Sequence, residues 1–254
     1  MSRADSGKGL IIVTGGSRGI GAVVARSFAQ AGHPVLINFS ADSQAADAFV
    51  QEQRHEGLTL HSIQADLANE EGVLRMFRAA DKVDAPLAGL VNNAGVTGGF
   101  ARLEDLRDDV LRHVLAVNVA GPFLCAREAV RRLSTGRGGR GGNIVNVSSI
   151  AAKLGGAGEW IHYAASKGGL DTLTVGLARE VAGEGVRVNA VAAGLIETGL
   201  HAAAGAPDRL DRLAKGIPIG RAGTAEEVAS AIIWLMSPAA SYVTGAILPV
   251  GGGR

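Results

Sequence analysis

Short apolar segments alternate with longer amphipathic segments along almost the whole chain. Seven apolar segments predict β-strands, and they cover residues 10–13, 34–39, 58–64, 87–91, 143–147, 186–191 and 246–249. Six segments with apolar residues at helical spacing predict helices, and they cover residues 20–31, 43–56, 70–82, 106–133, 163–183 and 225–236. Such alternation is typical of a doubly wound parallel sheet with right-handed connections. We therefore expect a Rossmann-type α/β fold with helices on both faces, formed as a single domain over residues 1–254.

The first predicted strand ends in a glycine-rich turn that leads directly into a helix. Its residues, 10–13, are apolar without alternation, as expected of a strand that is covered on both faces. Gly15, Gly19 and Gly21 follow, and glycines allow backbone amides to approach a ligand closely. The helix that begins there directs its positive end at the same point, which favours a phosphate. The spacing G-x-x-x-G-x-G differs from the general dinucleotide pattern, so a glycine turn without a ligand remains the alternative.

Composition and charge restrict the classes of function. Of the 254 residues, 47% are hydrophobic, which is sufficient for one buried core, and the net charge of +1 gives no basis for capture of nucleic acid. The glycine-arginine segment 137–142 resembles RNA-binding sequences, but its short length favours a solvated turn. No apolar run approaches the roughly 18 residues of a membrane span, and the N-terminus lacks the pattern of a signal peptide. We expect a cytoplasmic protein without nucleic-acid or membrane partners.

Metal and disulfide chemistry are not indicated. Cys125 is the only cysteine, so the chain cannot form an internal disulfide, and an apolar neighbourhood favours a role in the core. The six histidines show no paired spacing of the kind that metal ligands adopt. We expect no metal site.

Three polar residues near the predicted strand ends have catalytic potential. Tyr163 and Lys167 are four residues apart, and this spacing places them on one face of a helix. A free tyrosine has a pKa of roughly 10, and a neighbouring ammonium lowers it by favouring the phenolate. Ser149 follows the strand at 143–147 and can bring a hydroxyl to the same crevice. Taken singly, Tyr163 and Lys167 are also consistent with a surface pair, and Ser149 with a helix cap.

Taken in order, the motifs of this chain resemble those of the short-chain dehydrogenase/reductase family from residue 10 to the final glycines. The motifs are Thr14-Gly15-Gly16-Ser17-Arg18-Gly19-Ile20-Gly21, Asp66-Leu67, Asn92-Asn93-Ala94-Gly95, Asn118, Ser149, Tyr163-x-x-x-Lys167, and Asn189 with Gly194. Within the family, the chain is similar to the 3-oxoacyl-[acyl-carrier-protein] reductase branch, which also contains reductases of sugars and other carbonyl compounds. The resemblance implies an NAD(P)-dependent oxidoreductase that interconverts a small-molecule carbonyl and its alcohol, commonly as a homotetramer.

The resemblance also implies roles for individual residues. Tyr163 would be the general acid in carbonyl reduction, and Ser149 would donate a hydrogen bond to the substrate oxygen. Lys167 would bind the nicotinamide ribose and lower the pKa of Tyr163, while Asn118 would hold a water that conducts protons. The implied cofactor-binding residues are Gly15, Ser17, Arg18, Gly19, Ile20, Gly21, Asn38, Ser40, Asp66, Leu67, Asn93, Ala94, Gly95, Tyr163, Lys167, Gly194, Ile196 and Thr198.

The end of the second strand favours NADPH over NADH. Relatives that use NAD usually place an acid there, which binds the ribose 2′-hydroxyl and repels a 2′-phosphate. Here the strand ends in Asn38-Phe39-Ser40, with no acid before Asp42. Arg18 in the glycine turn can pair with a phosphate. The alternative is that Arg18 is merely solvated, Asp42 reaches back to the ribose, and NAD is the cofactor.

Two loops are expected to shape the substrate pocket. The segment at about 192–223 is long for a compact domain, which is typical of a lid, and Ala193-Gly194 replaces the Pro-Gly that is frequent in the family. In the loop 153–162, Trp160 and His162 either line the pocket or, for Trp160, pack at a subunit interface. We expect reduction of a 3-oxoacyl thioester; a sugar or polyol dehydrogenase of the same family and a non-catalytic dinucleotide sensor are the alternatives.

Overall fold

The computed structural model describes residues 8–254, with His201 described by its backbone only. Seven strands form one sheet in the order β3-β2-β1-β4-β5-β6-β7, and every neighbouring pair is parallel. The strands are β1 Leu10–Val13, β2 Val35–Phe39, β3 Leu60–Gln64, β4 Leu87–Asn92, β5 Gly142–Ser149, β6 Val186–Ala193 and β7 Ile247–Val250. The strand order reverses between β1 and β4, so the doubly wound parallel sheet that the sequence predicts is confirmed.

Ten α-helices connect and cover the strands in the described part of the chain. They are α1 Gly19–Gln30, α2 Ser43–His55, α3 Glu70–Ala80, α4 Asp108–Leu115, α5 Gly121–Leu133, α6 Ala151–Leu154, α7 Ile161–Val181, α8 Leu200–Ala203, α9 Arg209–Ala214 and α10 Ala225–Met236. Helices α1, α2 and α10 contribute to the core layer on one face of the sheet. Helices α3, α5 and α7 contribute to the layer on the other face.

The residues of β1 show why this sheet reads as uninterrupted apolar sequence. Ile11 and Val13 pack into the layer of α1 and α10, while Leu10 and Ile12 pack into the opposite layer. Successive strand residues point to opposite faces, and both faces are covered by helices. All four side chains are therefore buried.

The helix predicted over residues 106–133 is interrupted. The chain forms α4 and α5, and a single π-helical turn at Ala116–Ala120 joins them. By length and composition alone, the helical stretch Asp108–Leu133 could cross a membrane, although such a test also selects core helices of soluble proteins. In this fold α5 buries Cys125, Ala126 and Ala129 in the core layer that it shares with α3 and α7.

Other differences from the predicted elements concern the loops. The loop after β5 contains α6, and the segment predicted to be irregular at about 192–223 contains α8 and α9. The prediction about the N-terminal segment falls mainly on residues 1–7, which lie outside the described residues, and the single-domain boundaries stay a prediction. Within residues 8–254, no group of three His, Cys, Asp or Glu side chains is arranged to hold a metal ion.

Candidate active site

One cleft of about 1020 Å³ opens at the carboxyl ends of the central strands, where the strand order reverses. Open parallel sheets bind ligands at this position. Of the predicted catalytic and cofactor-binding residues, all line the cleft except Gly21 and Asn118. Those that line it are Gly15, Ser17, Arg18, Gly19, Ile20, Asn38, Ser40, Asp66, Leu67, Asn93, Ala94, Gly95, Ser149, Tyr163, Lys167, Gly194, Ile196 and Thr198.

The glycine turn after β1 brings backbone close to the cleft. Gly15 and Gly19 have φ angles of +60° and +54°, a region that favours glycine. A Cβ on Gly15 would lie 3.0 Å from the Ala94 Cα atom. A Cβ on Gly21 would lie only 2.4 Å from the carbonyl oxygen of Gly15. Gly21 therefore acts behind the cleft, where it lets α1 pack against the turn.

Thr14 and Asn93 join this turn to the end of β4. The Thr14 hydroxyl oxygen accepts hydrogen bonds from the backbone amides of Asn93 at 2.9 Å and Ala94 at 3.0 Å. The Asn93 side-chain amide donates to the carbonyl oxygens of Thr14 and Gly15, both at 2.9 Å. These bonds hold together the two loops that flank the reversal point of the sheet. The sequence motifs contained Thr14 but did not mark it as a site residue.

The strand β2 itself ends without a carboxylate, and the first acid after it, Asp42, lines the cleft. Asn38 is buried, and its side-chain amide donates to the Ala65 carbonyl at 2.7 Å. Asp42 caps α2, since one of its carboxylate oxygens accepts from the Ala45 amide at 2.9 Å. Arg18 is exposed at the edge of the cleft, and its side chain makes no ion pair with any other described residue.

Ser149, Tyr163 and Lys167 converge at the middle of the cleft. Ser149 is the last residue of β5, and the other two lie on α7, which packs beside β5. The Lys167 Nζ atom lies 5.7 Å from the centroid of the Tyr163 ring and donates to the Val147 carbonyl at 2.7 Å. The Ser149 hydroxyl is close enough to the Tyr163 phenol to favour its ionised form. Ser148 also lines the cleft, but its hydroxyl donates towards the Lys167 carbonyl oxygen, which is 3.5 Å away.

Burial dominates the pKa values of this group. It raises the pKa of Tyr163 to about 12, and the Ser149 hydroxyl opposes the rise only in part. Burial also lowers the pKa of Lys167 to about 8, against the attraction of Asp171. The expectation that Lys167 lowers the pKa of Tyr163 is therefore wrong for the polypeptide by itself. Burial disfavours the phenolate, and only the Ser149 hydroxyl opposes this effect, so the phenol stays protonated at neutral pH.

Asn118 lies behind the cleft wall, in the π-helical turn. Its side-chain amide donates to the Val96 carbonyl at 2.8 Å and to the Ser166 hydroxyl at 3.0 Å, and its oxygen accepts from the Val96 amide at 2.9 Å. A Cβ on Gly95 would lie 3.3 Å from the Asn118 oxygen and 3.4 Å from the Lys167 Nζ atom. Both donor hydrogens of Asn118 are thus used to position the loop after β4 beside Lys167.

Trp160 lines the far end of the cleft. Its ring stacks on Phe100 with 4.7 Å between centroids and lies 5.5 Å from the Tyr163 ring. Because only 5% of Trp160 is exposed within the single chain, the structure favours a pocket residue over an interface residue. His162 is buried, with its Nε2 atom 2.8 Å from the Thr97 carbonyl oxygen, and it does not line the cleft.

Glu159 and Arg209 also line this end of the cleft. The two residues form an ion pair although 50 positions separate them in the sequence. No local sequence pattern marks a pair at such a separation, and the sequence analysis did not predict it.

Comparison with known proteins identifies the family. A family model described as enoyl-(acyl carrier protein) reductase matches residues 15–254. The chain belongs to the short-chain dehydrogenase/reductase family. It is similar to the branch of 3-oxoacyl-[acyl-carrier-protein] reductases. Members of this family are NAD(P)-dependent oxidoreductases that act on CH–OH or carbonyl groups, and this chain is such an enzyme.

Three relatives cover almost the full chain. The uncharacterized oxidoreductase YgfF of Escherichia coli is 49% identical over 96% of this chain and 99% of its own length. A 3-oxoacyl-[acyl-carrier-protein] reductase of Aquifex aeolicus is 36% identical over 95% of both chains. Glucose 1-dehydrogenase 2 of Bacillus subtilis is 35% identical over 95% of this chain and 93% of its own.

Solved structures of this family match the fold closely. A dehydrogenase/reductase from Sinorhizobium meliloti is 33% identical, with a TM-score of 0.88 over 97% of this chain and 95% of its own. A blue fluorescent protein from a metagenomic library, in complex with NADPH, is 31% identical, with a TM-score of 0.87 over 97% of this chain and 98% of its own.

The cofactor end of the cleft fits a nicotinamide dinucleotide. The close contacts that a Cβ on Gly15 would make show that only bare backbone fits there. The amides of the turn precede the N-terminus of α1, which favours a bound phosphate. The residues that would hold the dinucleotide are those of the loops after β1 to β4, with Tyr163 and Lys167 at its reactive end.

Proposed function

We propose that this oxidoreductase uses NADPH to reduce the carbonyl of a 3-oxoacyl thioester to an alcohol. The observation that carries the proposal is the convergence of Ser149, Tyr163 and Lys167 in one cleft, with Ser149 beside the Tyr163 phenol. A non-catalytic dinucleotide sensor would not need this arrangement. The cofactor, when bound, supplies the hydride.

The buried phenol suits a proton donor. With a pKa of about 12, Tyr163 is protonated at neutral pH and can protonate the alkoxide that forms as hydride arrives at the carbonyl carbon. The Ser149 hydroxyl donates a hydrogen bond to the same oxygen and stabilises its growing charge. Lys167 would hold the ribose of the cofactor, and it provides positive charge beside the phenol. Asn118 bonds Val96 and so orients the loop after β4, where Gly95 lies beside Lys167, which makes Asn118 a positioning residue.

Three observations support NADPH as the cofactor. Arg18 is exposed at the edge of the cleft without an ion-pair partner among residues 8–254, so it is available for a 2′-phosphate. The nearest acid after β2, Asp42, uses one carboxylate oxygen to cap α2, although it also lines the cleft. The blue fluorescent protein that shares this fold is described in complex with NADPH.

The 3-oxoacyl thioester is proposed from the relative in Aquifex aeolicus and from the resemblance of the motifs. A sugar or polyol is the second candidate, because a glucose 1-dehydrogenase of Bacillus subtilis is 35% identical. We further propose a cytoplasmic homotetramer. On α10, Trp234 is 43% exposed, and Tyr242, which follows that helix, is fully exposed, so this region offers apolar surface to a second subunit. Sedimentation of a stable monomer at micromolar concentration would contradict the tetramer.

The test measures oxidation of NADPH and NADH side by side with a short 3-oxoacyl thioester, and reduction of NADP⁺ with glucose. We expect turnover with NADPH and the thioester and at least tenfold less with NADH. Ser149→Ala should abolish most of this turnover and Ser148→Ala should retain it, because only Ser149 is near the phenol. If only glucose is turned over, the proposed substrate is wrong and the enzyme acts on a sugar instead of a 3-oxoacyl thioester. Equal rates with both cofactors would refute the NADPH assignment.

A further inference from the structure

Three loops that are distant in sequence meet at the substrate end of the cleft. Phe100 follows β4, Glu159 and Trp160 follow β5, and Arg209 begins helix α9 after β6. We name these four residues the lid clasp. The backbone links two of the loops as well, because the Ala101 amide donates to the Glu159 carbonyl at 2.8 Å.

Arg209 is the centre of the lid clasp. Its two terminal nitrogens donate to the two carboxylate oxygens of Glu159, at 2.5 and 2.7 Å. Its guanidinium carbon lies 4.5 Å from the Trp160 ring centroid and 5.4 Å from that of Phe100. Bidentate pairing and contact with aromatic rings are the interactions to which a planar guanidinium is suited. Arg209 holds both at once while only 4% exposed.

The segment that carries Arg209 has a small apolar core of its own, while Ile196 near its start joins the main core of the sheet. The apolar residues around α9, which are Leu195, Leu210, Leu213, Ile217 and Ala222, form a cluster within residues 195–222. Ala204 is the residue of this segment that joins the cluster of Trp160 and Tyr163. A segment with its own small core can move as a unit once its outer contacts open. Within the described part of the chain, two ion pairs link this segment to the rest of the molecule: Glu159–Arg209, in which Arg209 is buried, and the more exposed pair Arg221–Glu227.

The closed lid clasp also has an unfavourable free-energy contribution, which makes its opening easier. The Nε atom of Arg209 is buried and has no hydrogen-bond partner among the described residues. An unpaired buried donor of a charged group is unfavourable. Opening the lid would expose this atom to water and remove that penalty, which offsets part of the lost pairing with Glu159.

We propose that the Glu159–Arg209 pair determines substrate specificity by closing the end of the cleft beyond Trp160. The proposal rests on the proposed function, because the reacting carbonyl must lie near Tyr163. The centroids of the Tyr163 and Trp160 rings are 5.5 Å apart. With the pair formed, Trp160 bounds the space beside the carbonyl, and the closed cleft accepts compact substrates. A long acyl chain requires the pair to open.

The first experiment measures closure without any substrate. The chain has two tryptophans, so Trp234→Phe leaves Trp160 as the only fluorescent indole. In that background we compare quenching of Trp160 by acrylamide, and by a bulkier neutral nitroxide, in the parent protein and in Glu159→Gln, Arg209→Met and the double variant. Arg107→Met is the matched control, because it breaks a bidentate but exposed pair with Asp109.

We expect the lifetime-corrected quenching constant to rise about threefold or more in both single variants, no further in the double variant, and not at all in the control. The nitroxide should be excluded relative to acrylamide in the parent protein and not in the variants. Glu159→Gln retains the size of the side chain. If quenching is unchanged in this variant, the claim that the Glu159–Arg209 pair closes the cleft over Trp160 is wrong. If Trp160 becomes more accessible in the variants but the nitroxide is still excluded relative to acrylamide, the pair does not determine specificity by size.

The second experiment compares kcat/KM for a long-chain and a short-chain 3-oxoacyl thioester. The kcat/KM for the long-chain thioester, divided by that for the short-chain thioester, should rise about tenfold in Glu159→Gln, because the long chain no longer needs to open the pair. An unchanged ratio contradicts the proposal. If the parent protein turns over neither thioester but binds NADPH, the proposed substrate fails, and the two quenchers still decide whether the lid clasp selects by size.

Discussion

The cofactor end and the substrate end of the cleft are held in shape by different kinds of interaction. At the cofactor end, backbone groups predominate: Gly15 and Gly19 adopt positive φ angles, and Thr14 and Asn93 bond the ends of β1 and β4 together. At the substrate end, side chains from separate loops pack on one another, as Glu159 and Arg209 do across 50 positions. Few residue types fit the backbone arrangement of the cofactor end, while many combinations of side chains can form the substrate end. Substrate choice can therefore change while the cofactor and the chemistry stay the same.

Tyr163 lies where the two ends meet, and its replacement should have the largest effect. Tyr163→Phe retains the ring that packs against Trp160 but removes the proton donor, so kcat for carbonyl reduction should fall roughly 1,000-fold or more. The Kd of NADPH, measured by fluorescence titration, should change less than about threefold, because the cofactor end remains intact. Turnover within tenfold of the parent enzyme would contradict the assignment of Tyr163 as general acid.

Gly21→Ala tests whether the cofactor end depends on backbone packing. The added Cβ would lie 2.4 Å from the Gly15 carbonyl oxygen and 2.5 Å from the Asn93 side-chain nitrogen, so the turn must move. Overpacking of this kind costs about 1–3 kcal/mol, and a displaced turn should raise the Kd of NADPH about 100-fold.

Gly176→Ala is the control for this change. Gly176 lies in α7, and a Cβ there would meet no atom within 4 Å. In a helix this substitution should stabilise the protein by about 0.5–1 kcal/mol and leave the Kd of NADPH unchanged. Similar NADPH affinities for the two variants would show that Gly21 is not needed for the shape of the turn.

The same contrast explains how much of the molecule could be predicted from its sequence. Strands buried on both faces read as continuous apolar runs, and Leu10–Val13 and the other strands were located within about two residues of their observed starts or ends by this signal. The glycines and strand-end residues of the cofactor end carry local motifs, and nearly all of them line one cleft. Local geometry is encoded in neighbouring residues, so a pattern can reveal it.

The remainder depends on contacts that no local pattern encodes. The π-helical turn at Ala116–Ala120 lies in sequence with ordinary helical spacing, and only the bonds of Asn118 to Val96 and Ser166 reveal its use. Arg209 reads as one of many surface arginines until the lid brings it to Glu159. The pKa of Tyr163 depends on its burial, which the spacing to Lys167 does not report.

Arg18→Gln should discriminate between the two nicotinamide cofactors. The exposed guanidinium at the edge of the cleft can pair with a 2′-phosphate, and loss of a charge-assisted hydrogen bond of about 2 kcal/mol corresponds to an affinity lower by about thirtyfold. The Kd of NADPH should rise by this factor, while that of NADH stays within about twofold. Titration of both cofactors provides the measurement. An equal loss for NADH would mean that Arg18 stabilises the turn rather than the phosphate.

The smallest expected effect is the pH dependence of kcat/KM, which involves both the cofactor end and the substrate end of the cleft. Burial lowers the pKa of Lys167 to about 8, so its ammonium, which lies 5.7 Å from the centroid of the Tyr163 ring, is lost as the pH rises through 8. Since the pKa of Tyr163 is about 12, the phenol stays protonated over this range. Between pH 7 and pH 9, kcat/KM for reduction should therefore fall about tenfold. Lys167→Arg should be slower at every pH but show no inflection near pH 8, because a guanidinium remains charged.

Stability should respond to the same titration with the opposite sign. The folded-state pKa of Lys167 lies below the ordinary value of 10.5, so between pH 8 and pH 10 the unfolded chain binds more protons at this residue than the folded chain does. The contribution of Lys167 to the free energy of unfolding therefore rises with pH over this window. Tyr163 adds an opposing change as the pH approaches 10, where the unfolded phenol is half ionised while the folded phenol stays protonated. Urea titrations of the parent protein and Lys167→Met at pH 7.5 and 9.5 isolate this contribution as the difference between the two proteins. If that difference does not change with pH while kcat/KM falls, the inflection in rate belongs to another group.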